Sequence, residues 1–382
     1  MSLVVNRLIS EAPNEARRKL DKLGSIDFSN VIQLHSLIST SVQRGDSHFV
    51  ALLLNELGLE KSKKAINLQI DGIIPPLLAS CQDKNVNLVQ LLLDFGADPN
   101  EKIHGSEATI LTFVCLFKFR EDPVRCSEIV KLLLDHDASL GVPSKFSDGL
   151  GLPFSSDYLP IHSCAEICKW NPLLANRIVK FTPPRCFSLP AVVSFRTPFS
   201  QDALGSPLSL AFQRLLIVSE AFEVYSTAPD LEFNPIHSPV RMEQRERAEQ
   251  SCKTLLKFVL LPLLRAGAAI VPDPFASLSE QASQQIDLAD AFLSSENGSV
   301  LNLLIAARQK SSIDLSKILG DVLKSRLQLA FPMNLQQICR ISLLSSLPMG
   351  VEARQKAIDK LALPQMLTDF LNFTEFDSFF QN

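Results

Sequence analysis

The chain has 382 residues, 46% of them hydrophobic and 20% charged, with a formal net charge of -4 and a pI of about 5.9. That balance excludes a nucleic-acid surface, which needs a basic stripe to release counterions, and the length predicts either two or more domains or one extended array. Eight cysteines, at 81, 115, 126, 164, 168, 186, 252 and 339, form no paired framework and sit mostly in apolar helical patterns, as reduced thiols do in cytosol or nucleus.

The amino-terminal apolar run is broken by Asn6 and Arg7, so no signal peptide is expected. The longest greasy run, Phe258 to Leu264, reaches about a third of the ~20 residues a membrane span requires and contains Pro262. A cytoplasmic protein is predicted, with the nucleus as a further location, and neither membrane nor nucleic acid as a partner. Residues 1–30 form a helical lead-in or cap. Within it, residues 10–23 read as one amphipathic helix, with Ala16, Leu20 and Leu23 on one side and Arg17, Arg18, Lys19 and Lys22 on the other.

From residue 31 a repeat emerges. Leu52-Leu53-Leu54, Leu91-Leu92-Leu93 and Leu132-Leu133-Leu134 recur at intervals of 39 and 41 residues. The clearest copy runs from Pro76 to Asn100. Pro76 opens a short helix, a turn follows, Asn87 to Asp94 continues as a second helix, and Gly96 is placed to take a left-handed cap. Through Leu-Leu-Leu-x-x-Gly-Ala-Asp-x-Asn this copy resembles the ankyrin repeat. A neighbouring copy, Glu128 to Ala138, has Asp137 at the capping place, a residue that tolerates that conformation. Thr109-Ile110-Leu111-Thr112 opens its first helix, with an insertion of roughly seven residues around Asp122-Pro123, counted against the best copy. Leu159-Pro160-Ile161-His162 and Ser206-Pro207-Leu208-Ser209 look like further openings. The second helix of the latter is predicted over Leu255 to Leu264, closing on Gly267. A last copy is read at Ser299 to Leu304 with Ile313 to Leu319.

The expected fold is therefore all-α. The resemblance implies a solenoid of about six degenerate ankyrin repeats over residues 31–325, interrupted by insertions at 142–158, 181–205, 227–240 and 271–283. Each repeat leaves an apolar face that a neighbour must cover, so the array stacks by nearest neighbours. Insertions of this kind belong on one edge, as binding surface or as tolerated loops.

The end of the chain has a different texture. Leu335, Ile338, Cys339 and Leu343 make one apolar stripe if helical, and Leu367, Phe370 and Leu371 make another after Leu361-Ala362-Leu363-Pro364. Two such short helices cannot bury all these faces between themselves. Residues 330–373 resemble the three-helix SOCS box, with residues 374–382 as a tail. The resemblance implies that Leu335, Ile338, Cys339 and Leu343 form a BC-box helix for elongin C with elongin B. It implies that Leu361, Leu363, Pro364, Leu367, Phe370 and Leu371 face a cullin carrying a RING subunit. Asn334 stands where Ser, Thr or Pro usually precedes the stripe, and caps a helix comparably. The Leu-Pro-aliphatic-Pro pattern of a cullin-five type box has Ala362 in place of its first proline. The looser aliphatic-Pro-x-x-aliphatic-x-x-x-aliphatic pattern of a cullin-two type is met by Leu363, Pro364, Leu367 and Leu371.

No chemistry competes with this reading. His162, Cys164 and Cys168 invite a zinc site, but no second ligand pair lies nearby, and His162 occupies the repeat histidine place, where it bonds loop backbone. A nucleophile elbow, a phosphate loop and a dinucleotide glycine pattern are missing from the sequence. No catalytic residue, cofactor or metal is expected. Cys339 on an apolar stripe reads as a small hydrophobe. In the ankyrin repeat and SOCS box family, the repeats hold a target and the box holds the ligase. The implied role is thus a non-catalytic substrate receptor of a ubiquitin ligase, its target and target-binding residues unspecified. A repeat scaffold without a ligase link is the alternative.

Overall fold

Helical pairs are what the apolar periodicity builds. The structure, a computed structural model, describes residues 3–22, 30–103, 108–145, 158–189, 191–195, 201–211, 214–215, 238–268, 340, 343–344 and 346–374. The chain divides into two units, Met1–Ser155 and Ser156–Asn382.

The first unit opens with α1 (Leu3–Ser10) and α2 (Asn14–Asp21), not the single helix expected over 10–23. Pro13 separates them: it has no N–H to continue a ladder and its φ of -66° suits the residue ahead of a new helix. Val5, Leu8 and Ala16 are buried, and both helices pack on α4 (Ser47–Ile66). Leu20 is half-buried, while Leu23 lies outside the described residues.

Three helical pairs follow. The first is α3 (Val31–Gln43) with α4; the second is α5 (Pro76–Gln82) with α6 (Val86–Asp94). The third joins α7 (Ile110–Phe113), continued by a π-helical stretch Val114–Lys118, to α8 (Pro123–Asp135). The first helices contact one another in sequence and so do the second helices α4, α6 and α8, which makes two stacked layers. Gly96, at φ +85°, ends α6: its N–H bonds Leu93 O and the Ala97 N–H bonds Leu92 O, the paired closure of a left-handed cap. Asp137 does the same after α8 at φ +65°, with Ala138 N–H on Leu133 O. The roughly seven-residue insertion is absorbed mainly by longer helices. Four α-helical and five π-helical residues replace the seven of α5, and the thirteen of α8 replace the nine of α6.

Two asparagines tie consecutive pairs together. Asn67 donates from Nδ2 to Gly96 O (2.8 Å) while its Oδ1 accepts from the Asp98 N–H (2.8 Å). Asn100 repeats this on the next pair, donating to Asp137 O (3.1 Å) and accepting from the Ser139 N–H (2.6 Å). Each side chain satisfies one donor and one acceptor that a loop otherwise leaves open.

The second unit continues with a 3₁₀ turn Pro160–Ser163, α9 (Cys164–Trp170) and α10 (Pro172–Phe181). The segment expected to be a loop insertion at 181–205 instead holds a 3₁₀ turn, Pro184–Ser188, and an antiparallel ribbon. Its strands are β1 (Ala191–Phe195) and β2 (Gln201–Gly205), in register from Ala191 opposite Gly205 to Phe195 opposite Gln201. The all-α expectation is corrected to that extent: Val192, Val193 and Phe195 are strong strand formers. Ser206 then caps a helical turn at 207–211, accepting from the Ser209 N–H as Thr109 accepts from the Thr112 N–H at the start of α7.

The partner helix starts far earlier than the expected Leu255. It is α11 (Ser238–Leu255), continued by a π-helical stretch Leu256–Leu260 and α12 (Leu261–Arg265), and closed by Gly267 at φ +82°. The apolar run shows only the buried end; the polar portion from Ser238 carries no apolar stripe to announce it. The insertion read at 227–240 therefore ends inside a helix. Of the one read at 142–158, Ser144 and Tyr158 are buried, and Ser144 Oγ accepts from the Thr109 N–H (3.0 Å). The copy at 299–304 with 313–319 and the insertion at 271–283 lie outside the described residues. Among the described residues no helix is long and apolar enough to cross a membrane.

Candidate functional site

The carboxy-terminal helices within the described residues are α13 (Val351–Lys360) and α14 (Gln365–Leu371), preceded by helical residues at 340, 343–344 and 346. Leu335, Ile338 and Cys339 lie outside the described residues. Leu343 is described and is 44% exposed. Of the residues read as facing a cullin, Leu361 and Leu367 are 45% and 44% exposed, Pro364 is exposed and Leu363 is half-buried. Met366 beside them, not singled out from the sequence, is 77% exposed. Phe370 and Leu371 face the other way. Leu371 is 2% exposed, and the Phe370 ring lies 3.6 Å below the Arg340 guanidinium, so these two serve the box's own packing.

Ala362 has a left-handed backbone, φ +48°. Proline is locked near -65° and cannot occupy that turn as it stands. The missing proline of the Leu-Pro-aliphatic-Pro pattern is thus a difference in backbone path as well as in side chain.

Three arginines that the sequence reading passed over hold this region together. Arg340, stacked on Phe370 and 4.7 Å from the centre of the Phe373 ring, donates to Phe370 O (2.6 Å). Arg265, at the end of α12, donates to Asn372 O (2.7 Å) and Phe373 O (3.4 Å) just past α14. Arg354, on α13 and 2% exposed, returns the contact: it donates to Leu264 O (3.2 Å), at the end of α12, and to Leu344 O (2.8 Å). These carbonyls lie at helix ends, where the ordinary i+4 donor is missing and the helix dipole favours a cation; Leu264 O and Leu344 O each also accept one turn N–H, from Gly267 (2.9 Å) and Leu347 (3.3 Å). Burial pulls the Arg354 guanidinium down to about 10, still protonated at neutral pH. Gly350, at φ +102°, caps the arrangement: its N–H bonds Ala266 O (2.7 Å), and a Cβ there would lie 2.7 Å from Pro184 Cγ. A faint signal for Arg354 existed: it stands four residues before Ile358, on the face that α13 buries.

The other candidates resolve into backbone chemistry. His162 Nδ1 accepts from the Leu159 N–H (3.0 Å), which leaves the proton on Nε2, donated to Leu189 O (2.8 Å). Burial pushes this imidazole down to about 4. Cys164 and Cys168 direct their thiols to Ala175 O and Thr254 O, both at 3.7 Å. Among the described residues no group of three or more His, Cys, Asp or Glu side chains is arranged for a metal ion. The seven described cysteines are buried, and none of them forms a disulfide with another. Burial holds Cys126 at about 11 and Cys168 at about 12, so both stay protonated thiols.

The box thus presents an exposed apolar edge on small helices, with the buried Arg340 and Arg354 among the contacts that hold those helices. Residues 331–372 match the SOCS box family. No curated protein matches the chain. The SOCS box match points to an adaptor of elongin–cullin ubiquitin ligases.

Proposed function

We propose that this protein is the non-catalytic substrate-recognition subunit of an elongin B/C–cullin–RING ubiquitin ligase. The observation that carries the reading is the SOCS box match over residues 331–372, with Leu343, Leu361 and Leu367 exposed within it. Leu335, Ile338, Cys339 and Leu343 contact elongin C as a helix laid in a groove, Leu335 as the central anchor. Leu361, Leu363, Pro364 and Leu367 face the cullin, while Phe370 and Leu371 support that edge from inside. The left-handed Ala362 favours the cullin-two type pattern over the cullin-five type.

The stacked helical pairs are ankyrin repeats that hold the target. Support comes from their layers, the left-handed residues at Gly96 and Asp137, and the asparagine ties recurring from one pair to the next. Transfer to the target then comes from proximity, since a charged conjugating enzyme held near target lysines turns a bimolecular encounter into a nearly unimolecular one. The work belongs in the cytoplasm, with the nucleus also open.

The test is co-purification of the full chain with elongins B and C. Capture is expected from wild type, and Leu335→Ala with Cys339→Ala is expected to abolish it while leaving thermal unfolding unchanged. Truncating a central anchor costs ~2 kcal/mol or more, about 30-fold in affinity. Failure of the wild-type chain to capture elongins, or equal capture by the double variant, would overturn the reading and leave a repeat scaffold.

A further inference from the structure

Arg354 and Arg265 do more than fill space. Between them they join α12 and the box in both directions: α13 reaches the carboxy-terminal end of α12 through Arg354, and α12 reaches the carboxy-terminal end of α14 through Arg265. Arg354 also bonds Leu344 O, so one guanidinium spans α12, α13 and the helical segment that includes Leu343.

The site admits little else. A Cβ on Gly267 would sit 2.9 Å from Arg354 Nη2, so the turn closing α12 needs glycine both for its φ of +82° and for the room the guanidinium takes. Gly350 adds a main-chain bond to Ala266 of the same turn and abuts Pro184. A lysine has one ammonium where the guanidinium presents a planar fork, so it cannot hold Leu264 O and Leu344 O in the same geometry. Burying a cation is unfavourable, and an apolar side chain would pack there at no such penalty; what the charge supplies is directional bonding to two carbonyls.

We propose that Arg354, with Arg265 as its reciprocal, is a positioning residue of the ligase: it fixes the angle between α12 and the box, and so the reach of the conjugating enzyme over bound protein. This rests on the ligase reading, and the test separates the two. Full-length wild type, Arg354→Lys and Arg354→Met are each assembled with elongins B and C, a cullin and its RING subunit, and the chain's own modified lysines are mapped by mass spectrometry. Hydrogen exchange over residues 261–268 and 351–360 is measured on the same assemblies.

Elongin capture is expected to stay within twofold across the three proteins. In the variants, exchange should quicken at least tenfold at the α12 turn, and the dominant self-modification site should lose at least threefold in rate as modification spreads to other lysines. Unchanged exchange together with an unchanged site map in Arg354→Lys overturns the proposal. Where Arg354→Met fails to fold, Arg354→Lys carries the decision. If wild type captures no elongin, the ligase reading fails, and unchanged exchange in the variants of the free chain overturns the latch itself.

Discussion

His162 ties the stability of the second unit to pH. Its Nδ1 accepts the Leu159 N–H, so a second proton can arrive there only by breaking that bond, in a place with almost no water. The folded chain holds it at about 4 against an ordinary 6.5, because burial disfavours the imidazolium. Between those values the unfolded chain binds the proton and the folded chain does not. Stability is therefore fully present above pH 6.5 and is lost as pH falls toward 4. At about 1.4 kcal/mol per pKa unit the loss is of order 3 kcal/mol, a large share of a domain's margin. Urea unfolding followed at Trp170, in the second unit, at half-unit steps from pH 7.5 to 4 measures it in wild type and His162→Gln. The variant is expected to be less stable at pH 7 but flatter with pH, so the difference between the two should shrink by about 3 kcal/mol on acidification. A difference that stays constant would refute the reasoning, because other titrating groups cancel in it.

The first unit is expected to respond in the opposite sense. Glu101 is buried and its Oε1 has no bonding partner; burial first, then Asp98, lifts it to about 7, against a bond from Gln69. The folded chain thus keeps a proton that the unfolded chain has lost between pH 4.5 and 7, and stability falls as pH rises through that window. Glu101→Gln should stabilise this unit at pH 7.5 by roughly 1–3 kcal/mol and do little at pH 4.5, read from protection of the α5 and α6 amides. At the box, Ala362→Gly should raise its stability by about 1 kcal/mol, since the left-handed φ suits glycine, whereas Ala362→Pro should disrupt the turn. Exchange rates across residues 361–371 decide this, and a proline variant with undisturbed exchange would show that the turn adapts.

The local grammar of the chain was legible without coordinates. Pro76 at the start of α5, the left-handed Gly96 and Asp137, the backbone role of His162 and the two short apolar patterns at the end all follow from rules acting over a few residues. The break at Pro13 was legible too, since proline lacks the N–H a continuous helix needs, yet the charge pattern across residues 10–23 masked it. Start points such as Ser238 were not, because a solvated polar helix has no periodic apolar signal to separate it from a loop.

What tertiary structure alone decided is which side chains of the box look outward. Periodicity puts Leu367 and Leu371 on one face of α14, but only the Arg340–Phe370–Phe373 stack and the bonds from Arg265 show that Leu371 turns inward while Leu367 stays exposed. Spacing from Ile358 hints that Arg354 is buried, but its bond to a carbonyl 90 residues away, at Leu264, leaves no trace in any local window. Hydrophobic spacing names the elements, and the distant partners of carbonyls at helix ends are chosen only once the chain has come together in space.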